Sequence, residues 1–209
     1  MKLRIASLIL VCLALAVIPA VAQDTLYDNG KVNGTTDAWT INFGYIVSDT
    51  FNLSSAATVK DFHFWVWEFP GDKTLSVDWS ITSQEFGGTT YGSGTAAVSD
   101  VFISANQYGY NVDRLDVSGL NVALGAGTYW LNLQNAVTQG GNPLYWDENS
   151  GPSQASESAL GTIPSEAFYI TGSSGSSTTT SGQTPEPTSI MLFGSGILGL
   201  AGILRRKLF

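Results

Sequence analysis

DFHFWVWEFP, Asp61 to Pro70, is the most unusual stretch of this chain outside its two ends. Read as a strand, it sets Phe62, Phe64 and Val66 on one face and His63, Trp65, Trp67 and Phe69 on the other, because successive side chains point to opposite sides. Flat rings in a row match the apolar faces of pyranose rings, so Trp65, Trp67 and the later Trp146 are candidate carbohydrate-stacking residues. Burial of the strand on both faces, beneath a covering loop, is the competing and preferred reading, since aromatic residues favour strands and fill cores. His63 is the only histidine. With no second histidine and no nucleophile motif, a Ser-His-Asp triad lacks support, and a hydrogen-bonded structural histidine is expected.

Carboxylates are the second source of chemistry. YWDENSG, Tyr145 to Gly151, puts Asp147, Glu148 and Asn149 in a loop after an aromatic pair. Calcium takes such oxygen ligands, and Asp28 and Asn29 of the early YDNG turn would join them if the ends of the domain meet. No EF-hand spacing is present. An ordinary polar turn is therefore the preferred reading, with Asp28, Asp147 and Glu148 kept as the calcium candidates. A glycoside hydrolase needs two carboxylates at a set separation across a cleft. Glu68, Asp78, Glu85, Asp147 and Glu148 are available, but nothing in the sequence selects a pair. No catalytic residue is assigned, no enzyme is expected, and no cofactor is implied beyond a structural calcium.

The elements that carry these residues have period two. In KTLSVDWSITS, Leu75, Val77, Trp79 and Ile81 alternate with Ser76, Asp78, Ser80 and Thr82, the pattern of a strand with one buried and one wet face. GTYWLNLQNA repeats it, with Tyr129, Leu131 and Leu133 inward and Asn132 and Gln134 outward. Further strands are expected at 39–47, 49–53, 95–104, 110–117 and 166–171, separated by Gly-, Asn-, Asp- and Pro-rich turns. Short strands without a long amphipathic helix predict an all-β fold, an antiparallel β-sandwich of about eight strands in jelly-roll order.

Charge limits the partners. Residues 23–187 hold four basic residues (Lys31, Lys60, Lys73, Arg114) against all seventeen acidic ones, a formal charge of −13. Nucleic acid and anionic membrane surfaces are bound through Lys and Arg, so neither is an expected partner of this segment. The one cysteine, Cys12, precedes it, which leaves packing alone to stabilise the body.

Both ends read as targeting segments. Residues 1–22 combine Lys2 and Arg4, an apolar run from Ile5 to Val17 and Ala20-Val21-Ala22, predicting a signal peptide removed by signal peptidase before Gln23. Residues 23–171 are then the ectodomain. The Ser/Thr/Gly-rich stretch 172–184 has no apolar residue with which to offset ordering entropy, and predicts a tether spanning roughly 20 Å. Ser189 to Leu204 carries no charge. As a helix, 188–204 would extend about 25 Å, near the lower limit for a membrane span. Arg205, Arg206 and Lys207 would stay on the cytoplasmic side under the positive-inside rule.

Pro185-Glu186-Pro187, a short transmembrane helix and Arg205-Arg206-Lys207, in that order, resemble the PEP-CTERM sorting signal of Gram-negative bacteria. The resemblance implies recognition by exosortase, a membrane-embedded cysteine protease or transpeptidase that processes the tail. It also implies transient membrane anchoring, then a place at the cell surface or outside it, in association with exopolysaccharide, biofilm or matrix. In that setting Pro185 and Pro187 would hold an extended segment just outside the bilayer, with Glu186 a recognition residue. The stretch from Tyr27 to Ile170 is similar to ectodomains of PEP-CTERM proteins with no assigned activity, a likeness that carries no catalytic residues.

Overall fold

Alternation of apolar and polar residues builds the body strand by strand. The computed structural model describes residues 23–175; the expected signal peptide, most of the tether and the helix at 188–204 lie outside the described residues. In chain order the strands are β1 Asp24–Asp28, β2 Ala38–Thr40, β3 Ile46–Leu53, β4 Ala57–Glu68, β5 Thr74–Gln84, β6 Gly87–Ala97 and β7 Ser99–Ala105. They continue with β8 Asn111–Val117, β9 Val122–Leu124, β10 Gly127–Thr138, β11 Tyr145–Asp147, β12 Ala155–Glu157, β13 Gly161–Ile163 and β14 Phe168–Ser174. No helix occurs among the described residues, and every strand pairing is antiparallel.

Two sheets result. One has eight strands organised around β4: β14 and β11 share one of its edges, β8 and β9 the other, with β1 beyond β14, β2 beyond β11 and β7 beyond β8. The other runs β13-β12-β3-β10-β5-β6. Their inner faces meet in one apolar cluster: Phe62, Phe64, Leu115 and Phe168 from the first sheet, Phe51, Trp79, Ile81 and Leu131 from the second. Phe62 and Trp79 make an edge-to-face contact at 6.0 Å between the sheets. Each such side chain contributes roughly 1.5–3 kcal/mol by leaving water.

Several expected boundaries shift for local reasons. The span 39–47 is broken, because Phe43 (φ 54°) and Gly44 (φ 90°) turn the chain between β2 and β3, and β3 then runs unbroken through Ser48. The span 95–104 divides at Val98, where the chain leaves the second sheet for the first. Leu75 is exposed, while Val77, Trp79 and Ile81 are buried as the alternation requires. Asn132 shares the outward phase of β10 yet is buried, because it links Ser48, Ser80 and Thr82 across the sheet and Phe86 folds over it, donating its backbone N–H at 3.0 Å. The tether does not begin at 172. β14 continues to Ser174, paired with the start of β4 through backbone groups that need no apolar side chain.

Candidate functional site

The outer face of β4 carries the aromatic row. Trp146 has no exposed surface; its ring lies edge-on to Phe64 and Phe168, and its indole N–H donates to the Ala167 carbonyl at 3.0 Å. Trp67 is 6 % exposed, covered by Tyr108 and Tyr110 of the β7–β8 turn, and donates to Asp147 at 2.6 Å. Neither ring presents a face to solvent, which removes both as sugar platforms. Trp65 is half-buried. It lines, with Thr25, Asp28, Lys31, Val32 and Tyr169, an open depression of ≈ 420 Å³. His63 stacks on Tyr169 at 4.2 Å, and its Nδ1 lies 2.6 Å from Asp116, which also accepts two bonds from Arg114. That histidine is satisfied by structural neighbours.

The two segments 28–34 and 145–151 do meet, through Asn149 bonds to the Asn29 and Lys31 carbonyls rather than through converging carboxylates. Asp28 is exposed and accepts only the Gly30 N–H, at 2.9 Å. Asp147 is fully buried and accepts from Asn33 N (2.8 Å), Gly34 N (2.7 Å) and Trp67 Nε1 (2.6 Å), so its oxygens face donors. Burial pushes its pKa up to about 6 despite those bonds. Glu148 accepts from Trp39 Nε1 at 3.2 Å. The calcium candidates Asp28, Asp147 and Glu148 therefore do not converge on one point. The glycosidase candidates are dispersed as well: Glu68 lies inside, Asp78 bonds Thr95 and Asn135 on the second sheet, and Glu85 sits at the exposed β5–β6 turn.

Two sets of interior acids take their place. The first is Glu68, Asp100 and Asp113. Glu68 follows Phe62, Phe64 and Val66 in the inward phase of β4; Asp113 precedes Leu115 and Val117 in that of β8; Asp100 lies across from Leu115 on β7. One oxygen from each acid lies within 4.8 Å of the others. From the second sheet, Thr74 Oγ1 donates to Glu68 Oε1 at 2.6 Å and Thr74 N to Asp100 Oδ2 at 3.3 Å, while Lys73 Nζ pairs with Asp100 Oδ2 at 3.1 Å. Glu68 Oε2, Asp100 Oδ1 and both oxygens of Asp113 are buried without a partner. Burial, with Asp113 and Asp100 nearby, raises Glu68 to about 8, and burial raises Asp113 too. Such a set can hold a shared proton or a hard cation.

The second set centres on Asp49 and Glu166. Asp49 shares the inward phase of β3 with Val47, Phe51 and Leu53. Its Oδ2 accepts from Glu166 N (2.7 Å) and Asn29 Nδ2 (3.2 Å), and burial raises its pKa to about 7. Glu166 is fully buried with neither carboxylate oxygen bonded, and burial and the charge of Asp49 raise its pKa well above the ordinary value. Asn149 ties this set to the turns, donating to the Asn29 carbonyl at 2.8 Å and accepting from Ser165 at 2.9 Å. Asp49, Asp100, Asp113 and Glu166 were not among the expected site residues. The signal that finds Asp49 and Asp113 is an acid standing in the apolar phase of a strand; Asp100 is on the mostly exposed β7 and Glu166 lies outside every strand, so neither carries that signal.

No curated protein matches the chain. A family match is confined to a segment beyond the β body. Residues 183–207, holding Pro185-Glu186-Pro187 and Arg205-Arg206-Lys207, match the family described as the PEP-CTERM protein-sorting motif, and the chain carries that sorting signal.

Proposed function

We propose that this is a non-catalytic exported protein, sorted through its tail by exosortase and displayed as a cell-surface or extracellular-matrix component. The observation that carries the reading is the sorting motif at 183–207. In this reading signal peptidase removes 1–22, the helix 188–204 anchors the chain transiently, and Arg205, Arg206 and Lys207 remain cytoplasmic. The displayed body is a jelly roll: with β7 as a hairpin extension of β8, the strands run β1-β14-β4-β8 in one sheet and β3-β10-β5-β6 in the other. Replacing Pro185, Glu186 and Pro187 with alanines and following the chain by fractionation and intact mass tests the tail. The expected outcome is an unprocessed, membrane-retained form; unchanged processing refutes the reading.

A second reading gives the displayed body a ligand. Trp65 and Tyr169 supply an aromatic floor, with Asp28 and Lys31 at the rim, in the ≈ 420 Å³ depression. That combination suits one sugar ring of an exopolysaccharide, stacked on the indole with hydroxyls at the charged rim. Affinity electrophoresis in the producing cell's own polysaccharide checks it. Retardation weakened by both Trp65→Ala and Lys31→Ala supports the reading, and equal mobility with and without polysaccharide removes it.

A further inference from the structure

We propose that Glu68, Asp100 and Asp113 form a calcium site at one end of the interior, closed by the Lys73–Thr74 segment of the opposite sheet. Asp113 has no exposed surface and no hydrogen bond to either carboxylate oxygen; Glu68 has no exposed surface and leaves Oε2 free; Asp100 leaves Oδ1 free. A buried carboxylate oxygen without a donor costs about 1–3 kcal/mol, and more when charged, unless a proton or a cation supplies the missing partner.

Geometry and charge select the cation. Oxygens bound to one calcium at 2.3–2.6 Å lie at most about 5 Å apart, and one oxygen from each of the three acids falls within 4.8 Å of the others. Three carboxylates and Lys73 leave two negative charges, which a divalent ion neutralises. Lys73 cannot do so itself: it reaches Asp100 alone, and its side chain is 52 % exposed. The ligand set is all oxygen. The only histidine lies on the outer face of β4 against Asp116, and the only cysteine is Cys12, so a zinc-type set is not assembled here. Two free oxygens on Asp113 suit bidentate binding, which calcium accepts and the stricter octahedron of magnesium disfavours. The oxygens already bonded, Glu68 Oε1 and Asp100 Oδ2, are fixed by Thr74 and Lys73, which orient the free ones.

The rival is a proton shared within the trio. Full-length protein in detergent, stripped with EDTA and dialysed, is melted at about pH 7.5 with and without about 10 mM calcium, and calcium binding is counted by calorimetry. One bound calcium and a rise in melting temperature of about 3–10 °C are expected for a site of extracellular-module affinity. Asp113→Asn should lose both effects while melting no lower than wild type without metal, because it removes a buried charge. Glu68→Gln, which keeps the Thr74 bond, should behave alike if Asp113→Asn does not fold. The exposed Glu85→Gln should keep both effects. A wild-type protein that binds no calcium, or prefers magnesium, overturns the proposal. So does an Asp113→Asn protein that retains the calcium-dependent rise.

Discussion

Asp49→Asn tests whether the interior acids make this body most stable in mildly acidic solution. Asp49 has an ordinary pKa of 3.8, raised to about 7 in the folded chain by burial, against the opposing bonds from Glu166 N and Asn29. An acid whose folded pKa lies above its unfolded one binds its proton more tightly when folded. Its contribution is therefore fully present below pH 3.8 and falls as pH rises towards 7. Integrated from pH 5 to pH 8, that one group removes about 2.5 kcal/mol of folding free energy, at 1.36 kcal/mol for each pKa unit. Glu166 and Asp147, also raised, add losses of the same sign. Urea unfolding of the full-length chain at about pH 5 and pH 8 measures the difference. The wild type should be less stable at pH 8 by at least about 2.5 kcal/mol, and Asp49→Asn should reduce the gap by about that amount. Stability that is flat or rising between the two values refutes the reasoning, as does a variant with the full wild-type gap.

Trp146→Ala should cost about 3–5 kcal/mol in denaturant unfolding, since its ring fills the space between Phe64 and Phe168 with no exposed surface. Acrylamide should quench Trp65 fluorescence while leaving Trp67 and Trp146 shielded, a contrast resolved with single Trp→Phe variants. Gly172→Ala should lower the melting temperature and increase proteolysis near residue 172, because a Cβ there would meet the Thr58 carbonyl oxygen at 2.1 Å. Asp72 joins two turns by accepting from Gly140 N (2.6 Å), Asn142 Nδ2 (2.8 Å) and Lys73 N (2.8 Å), and these bonds outweigh burial to hold its pKa at about 2. Its stabilisation is present above pH 3.8 and lost as pH falls through 2. Asp72→Ala should accordingly flatten the acid limb of the stability curve below about pH 4.

Period-two alternation made most of the strands legible, and Val77, Trp79, Ile81, Leu131 and Leu133 all point where it sends them. Its failures have physical causes. Phe43 and Asn135 adopt left-handed backbone conformations that break a strand and shift a register, and neither is the glycine that would have flagged the event. β14 runs past Thr171 because backbone pairing with β4 sustains it through Ser174. The aromatic row was legible as a row, but the residues covering it were not: Tyr108 and Tyr110 reach Trp67 from a turn some forty residues along the chain. The acids were visible one at a time. Asp113 stands two positions before Leu115, and Glu68 two after Val66, a phase reserved for apolar side chains. What no single strand reveals is that β4, β8 and β7 lie side by side and bring these two exceptions together with Asp100.

The central place of β4 decides how any function should be tested. Its edges are shared by β14, β11, β8 and β9, its inner face supplies Phe62, Phe64 and Val66 to the core, and it ends in Glu68 of the acidic trio. Its outer face holds His63, Trp65 and Trp67. Trp65 pairs with Arg114 of β8, donates its backbone N–H to the Ala167 carbonyl and packs on Tyr169 of β14, so lost sugar binding in Trp65→Ala alone does not separate a missing contact from a loosened sheet. Lys31 offers the separation. It lines the same depression from the chain after β1, outside every strand. Lys31→Ala should weaken retardation in polysaccharide with the melting temperature unchanged within about 1 °C, as for ordinary surface substitutions. If Trp65→Ala abolishes retardation and lowers the melting temperature while Lys31→Ala changes neither, the depression is part of the scaffold and the sugar reading fails.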